Sequence, residues 1–174
     1  MVVEDRYGLA FIDYELNKLL FHLDYPEPAY KGFMSTYSGI KVLKDDQATR
    51  IFWGAANPTS KTSFVMEAEW DGSNASIKDT IRFDPIAPAP MSLPNDIALK
   101  KEEGENYLYV VLNGNNQLVK MRLRDKQVIW KTNTGMAPFG IALSSTKAYV
   151  TNWAGQVPTD ISREIAGIPL EKYI

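Results

Sequence analysis

The chain contains no cysteine. That excludes disulfides, thiolate metal sites and a cysteine nucleophile. Its one histidine, His22, excludes most histidine-based metal centres and leaves little room for a catalytic triad. No apolar run is long enough to span a bilayer. The opening residues, Met1-Val2-Val3-Glu4-Asp5-Arg6, lack the basic segment followed by an apolar one that marks a secretory signal. Neither sign of charge dominates: the formal net charge is −2, so nothing predicts attraction to nucleic acid or to a membrane surface. Gly-x-Ser-x-Gly, P-loop, dinucleotide and calcium-loop patterns are missing. Helical periodicity is almost missing too, with 161–166 the best and a weak candidate.

What remains is a β pattern. The 174 residues, 45% hydrophobic and 23% charged, suffice for one soluble domain with a real core. Short β-prone runs alternate with turn residues. Strands are predicted at 9–13 and 18–23, forming a hairpin around Tyr14-Glu15-Leu16-Asn17. Others are predicted at 108–112, 118–123, 127–131 and 148–152. In 118–123, Val119, Met121 and Leu123 point one way and Lys120 and Arg122 the other. The proline-rich stretch 85–94 cannot sit inside a sheet and reads as a connection.

Three segments line up as a repeat. Each opens with a turn and a short apolar strand: Gly39-Ile40-Lys41-Val42, Asp96-Ile97-Ala98-Leu99 and Gly140-Ile141-Ala142-Leu143. A polar turn follows, then a strand that opens with an aromatic: Phe52-Trp53-Gly54, Tyr109-Val110-Val111 and Tyr149-Val150-Thr151. Ile97 and Ile141 stand 44 residues apart; Ile40 and Ile97 stand 57 apart, the excess assigned to the proline-rich connection. Four-stranded units of this length are β-propeller blades, stacked so that both faces of each sheet are buried. The competing reading is a β-sandwich with accidental similarity.

With strands labelled a to d from the axis outward, the expected fold is all-β, an incomplete propeller of about three four-stranded blades. The expected boundaries are strands c–d at 7–25, a blade at 38–84, a blade at 95–134, strands a–b at 139–152 and a long segment at 153–174. The leading c–d and trailing a–b could form one composite blade. Closed propellers usually need at least four blades, so the chain should not close alone.

Ala148-Tyr149-Val150-Thr151-Asn152 resembles the motif that names the YVTN-type β-propellers. Ala137-Pro138-Phe139-Gly140 resembles that family's turn into strand a, and 93–99 with 107–118 resembles a second copy. The tail 152–160 is similar to a subgroup in which the propeller precedes an alkaline-phosphatase-like phosphoesterase domain. The resemblance is specific over roughly 93–160 and diffuse before that; Phe52-Trp53-Gly54 departs from the Tyr-Val pattern. It implies a seven-bladed ring of which this chain is a fragment, and a periplasmic or surface-layer setting. No phosphatase domain is present, so metal-dependent ester hydrolysis does not carry over.

The leading functional expectation is a non-catalytic binding or scaffold module of an exported bacterial-type protein, located in the periplasm or at the cell surface. Its partner would be a protein, a glycan or an enzyme domain of the same polypeptide, with no cofactor and no nucleic acid. The b–c and d–a loops share one face of a blade. Asn95, Asp96, Asn113, Asn116, Asn152 and Trp153 are the candidate ligand-binding residues there. Each has a structural alternative: Asn113 and Asn152 as turn caps, Asp96 as an acceptor for backbone amides, and Trp153, like Trp53, as inter-blade packing. Glu102 and Glu103, with Asp45 and Asp46, fall in a–b turns and read as solvated charges; Trp70 and Trp130 read as outer-strand core or edge shields. A second expectation is a propeller hydrolase or phosphoesterase whose catalytic residues lie outside this chain. A third is homo-oligomerisation through bare blade faces.

Overall fold

The computed structural model describes residues 1–36, 39–44 and 48–154, together with the backbone of 164–165 and 168–169. All regular elements among the described residues are β-strands. No helix there is long and apolar enough to cross a membrane.

The first sheet has three antiparallel strands in the order β1 (Val2–Asp5), β2 (Gly8–Asp13) and β3 (Lys18–Asp24). The β2–β3 turn is set by Asp13, whose Oδ1 accepts the amides of Glu15 at 3.0 Å and Leu16 at 3.1 Å. Asn17 closes it with φ +48°. The sequence pattern predicts only two strands here. β1 is an addition, and it occupies the edge of β2 that a composite with the trailing strands would need.

The second sheet contains β4 (Met34–Ser35), β5 (Lys41–Lys44), β6 (Thr49–Asn57), β7 (Thr62–Trp70) and β8 (Ala75–Phe83). β4 pairs with Ala55 and Ala56, and β5 pairs with 49–52, so the strand inside β6 arrives in two pieces. The third sheet runs β9 (Pro94–Glu102), β10 (Glu105–Leu112), β11 (Gln117–Arg122) and β12 (Gln127–Asn133). These four are hydrogen-bonded in order. The fourth sheet is the pair β13 (Pro138–Leu143) and β14 (Ala148–Asn152). A two-residue pairing of β15 (Glu164–Ile165) with β16 (Ile168–Pro169) overlaps the best helix candidate, 161–166, at 164–165; the rest of that stretch lies outside the described residues.

Three hydrophobic clusters join consecutive sheets. Leu9, Phe11 and Leu23 of the first sheet pack with Ile51, Trp53, Met66 and Ala68 of the second. Phe52, Val65, Ile81 and Phe83 on the other side of the second sheet meet Ile97, Leu108, Val110, Val119 and Met121 of the third. Ala98, Tyr109, Val111 and Leu118, on the third sheet's far side, gather Ile141, Leu143 and Val150 of the fourth. The second and third sheets are thus covered on both faces. This is why β6 and β10 read as unbroken apolar runs: each fully buried Trp53, Phe52 or Val110 contributes about 1.5–3 kcal/mol, whichever face it lies on.

The registers repeat. Ala98 stands opposite Tyr109, Ala142 opposite Tyr149, and Lys41 opposite Phe52. Ile97 pairs with Val110, and Ile141 with Val150. Ile40, Ile97 and Ile141 each belong to the cluster shared with the preceding sheet. The entry to each sheet repeats as well. The amides of Asn113 and Gly114 donate to the carbonyls of Leu93 and Ser92, and those of Trp153 and Ala154 donate to Ala137 and Met136. Leu93 and Ala137, at matching places, have φ +48° and +50°.

Candidate functional site

The β10–β11 turn, 113–116, is tied to the connections on both sides of it. Besides the bonds to Leu93 and Ser92, Asn115 accepts the amide of Ile86 at 2.9 Å and donates to the carbonyl of Asp84 at 3.0 Å. Asn113 Nδ2 donates to the carbonyl of Pro138 at 3.0 Å. Asn116 Oδ1 accepts the amide of Ala137 at 2.8 Å, and its backbone adopts φ +52°. Short polar side chains that can serve as backbone surrogates are what such a junction requires. A Cβ on Gly114 would stand 2.0 Å from the carbonyl oxygen of Met91, so only glycine fits. The amide of Leu93 donates to Ser63 Oγ at 3.1 Å, which brings the start of β7 to the same junction.

Asp96 lies at the start of β9, an edge strand of the third sheet. Its Oδ1 accepts the amide of Ile97 at 2.8 Å, and its Oδ2 accepts that of Ile141, in the next sheet, at 2.9 Å. Lys41 Nζ, from the preceding sheet, is 3.8 Å from Oδ1. Asn95 Nδ2 donates to the carbonyl of Phe139 at 3.0 Å. Of the six sequence-chosen residues, Asn95, Asp96, Asn113 and Asn116 are therefore engaged in joining sheets. Asn152 and Trp153 differ. Asn152 Oδ1 is buried without a hydrogen-bond partner among the described residues. The side chain of Trp153 is not packed between sheets: it is 71% exposed and stacks on Phe139, with ring centroids 4.5 Å apart at 21°.

Phe139 is the residue the sequence reading left out of its site. The repeat carries the signal for it. Positions 139 and 153 match 95 and 113, where the third sheet has asparagines. A polar pair that clamps backbone has become an exposed aromatic pair. Trp53, by contrast, is fully buried between the first two sheets and donates Nε1–H to Tyr25 Oη at 2.8 Å. Burial pushes the Tyr25 phenol up to about 12 despite hydrogen bonds from Ser35 and Trp53. Trp70, at the end of β7, stacks on Phe11 and packs against the core shared by the first two sheets.

Glu102 is paired rather than merely solvated, while Glu103 is exposed. Glu102 Oε2 meets Lys120 Nζ at 2.5 Å, and its Oε1 accepts Tyr109 Oη at 2.8 Å. The Lys120 hydrogen bond, with those from Tyr109 and Lys100, outweighs desolvation and holds the Glu102 carboxyl at about 2. Asp45 and Asp46 lie outside the described residues. Glu67 joins Arg50 at 2.7 Å and Lys126 of the next sheet at 2.5 Å; Lys126 also reaches Asp79 at 2.9 Å. His22 stands between Asp5 and Asp24, at 2.5 and 3.0 Å from its two ring nitrogens. No group of three or more His, Asp or Glu among the described residues converges to hold a metal ion.

The chain matches no protein-family model, and no curated protein is significantly similar to it.

Proposed function

We propose that the chain is a non-catalytic binding or scaffold module built from consecutive β-propeller blades, part of an exported protein of the periplasm or cell surface. Its ligand or partner, a protein surface or a glycan, docks on the rim formed by the β10–β11 turn, the sheet-to-sheet connections and the end of β14. The propeller reading is supported by the repeated register, the repeated entry hydrogen bonds and the resemblance of 148–152 to YVTN repeats.

The observation that carries the docking assignment is the Phe139–Trp153 pair. Two stacked rings remain exposed at the end of β14, next in sequence to Asn152, whose buried Oδ1 has no hydrogen-bond partner among the described residues. Aromatic faces with a nearby polar group suit the apolar face of a sugar ring or an aromatic anchor of a partner protein. The test is titration of the chain against a glycan panel and cell-envelope protein fractions, read by tryptophan fluorescence. Binding is expected to weaken about tenfold or more in Trp153→Ala while the melting temperature holds. Silence with every ligand, or binding unchanged by Trp153→Ala, would overturn it.

A further inference from the structure

We propose that the cleft between the β1–β2 turn and the β3–β4 connection binds an organic cation, a trimethylammonium group. The cleft measures about 450 Å³, within the range of small-ligand sites. Tyr7 of the turn and Tyr25, Tyr30 and Phe33 of the connection line it, together with the carboxylates of Asp24 and Glu27. Aromatic walls with acids beside them are what recognition of an alkylated ammonium requires.

The rings of the connection are steeply inclined to one another. Tyr25 and Phe33 have centroids 6.0 Å apart at 61°, and Tyr30 and Phe33 5.3 Å apart at 76°. Phe33 also stacks on Phe64, 4.7 Å away at 19°, which anchors it to the second sheet. Backbone bonds fix the walls. The amide of Tyr25 donates to the carbonyl of Tyr7 at 3.0 Å, and that of Ser35 to Arg6 at 3.0 Å, so turn and connection are joined. Within the connection, the amide of Tyr30 donates to Pro26 at 3.1 Å and that of Phe33 to Tyr30 at 3.0 Å. Asn57 Nδ2 holds the carbonyl of Lys31 at 3.0 Å. Walls set before the ligand arrives lower the ordering cost of binding.

The charge favours a cation. Around the cleft the acids Glu4, Asp5, Asp24 and Glu27 outnumber the bases Arg6, His22 and Lys31, even with His22 protonated between Asp5 and Asp24. After burial, the fields of Glu4 and Asp5 help to raise the Tyr25 phenol, so the negative potential reaches the rings. Arg6 shows how this surface receives a positive group. Its guanidinium carbon lies 5.3 Å from the Tyr7 ring centroid, and its Nη2 donates to Met34 Sδ at 3.5 Å, ring and thioether rather than carboxylate. The alkylated form follows from the Tyr25 hydroxyl. It is bonded to Ser35 Oγ at 3.0 Å and accepts Trp53 Nε1–H at 2.8 Å, which leaves ring surface for a ligand. A cation with N–H donors would give up hydrogen bonds to water against such walls, whereas a trimethylammonium group has none to give up.

The probe is choline, titrated into the full chain and followed by NMR at the Gly32 amide and the Tyr7 and Tyr30 rings. Saturable shifts are expected. The uncharged isostere 3,3-dimethyl-1-butanol and the primary amine ethanolamine should each bind about fivefold more weakly or worse. Tyr7→Leu, at an exposed position, keeps apolar bulk and removes the ring; it should weaken choline about threefold or more. Glu27→Gln should weaken it about twofold and flatten its salt dependence. Co-flotation of the chain with phosphatidylcholine vesicles, competed by choline, would assign the group to a lipid headgroup; choline shifts without flotation assign it to a soluble molecule. The site draws nothing from Phe139 or Trp153, so Trp153→Ala should leave choline binding unchanged. No choline shift, equal binding of the isostere, or full affinity in Tyr7→Leu would overturn the proposal.

Discussion

His22 sits on the first sheet with a carboxylate at each ring nitrogen, an arrangement that fits the doubly protonated ring. The hydrogen bond to Asp5, aided by the nearby charges of Asp5 and Asp24 and opposed by desolvation, raises its pKa above the ordinary 6.5. A raised histidine stabilises the fold fully below its unfolded pKa and loses that contribution as pH rises through the folded one. An NMR titration should place His22 above 6.5, and His22→Gln should remove the stability loss above that pH. Glu102 has the opposite sign. Its carboxyl is held at about 2 against an ordinary 4.5, so its contribution is present above 4.5 and lost as pH falls towards 2. Glu102→Gln should flatten the acid limb of a stability-versus-pH curve in that window. Gly114→Ala forces a methyl against the Met91 carbonyl; a loss of about 2 kcal/mol or more in urea unfolding is expected.

Between elements, the side chains that matter are those that bond across sheets. Asp96 caps its own β9 and the Ile141 amide of β13, so Asp96→Ala leaves two amides without acceptors. Its expected cost is about 2 kcal/mol, from two hydrogen bonds of about 1 kcal/mol each. Such links were only partly legible in the sequence. The strands of the second and third sheets were legible because burial on both faces writes long apolar runs, and because aromatic openings recur at Phe52, Tyr109 and Tyr149. β1 and β4 were not, since strands of two to four residues leave too little pattern to read, whereas β5 was expected at 39–42 and lies at Lys41–Lys44. The Glu67–Lys126 pair joins residues 59 apart in sequence, which no local spacing announces. Trp153, named among the candidate ligand contacts with packing between blades as its alternative, is exposed and stacks on Phe139.

At the scale of the molecule, the second, third and fourth sheets each present an isoleucine, Ile40, Ile97 or Ile141, to the sheet before, and the second and third each present an aromatic, Phe52 or Tyr109, to the sheet after. Phe52 and Tyr109 are buried by the following sheet, whereas Tyr149, at the matching place in the fourth, is 57% exposed. This pattern extends to more sheets without new chemistry, which is how we read the chain as propeller blades. The decisive measurement is a methyl NOE spectrum of the chain labelled at isoleucine, leucine and valine. Ile97 should show contacts with Val65 and Ile81 of the second sheet, and Ile141 with Val111 and Leu118 of the third. Contacts of Ile141 with second-sheet methyls, or of Ile97 with those of the fourth, would mean non-equivalent sheets and would contradict the repeat.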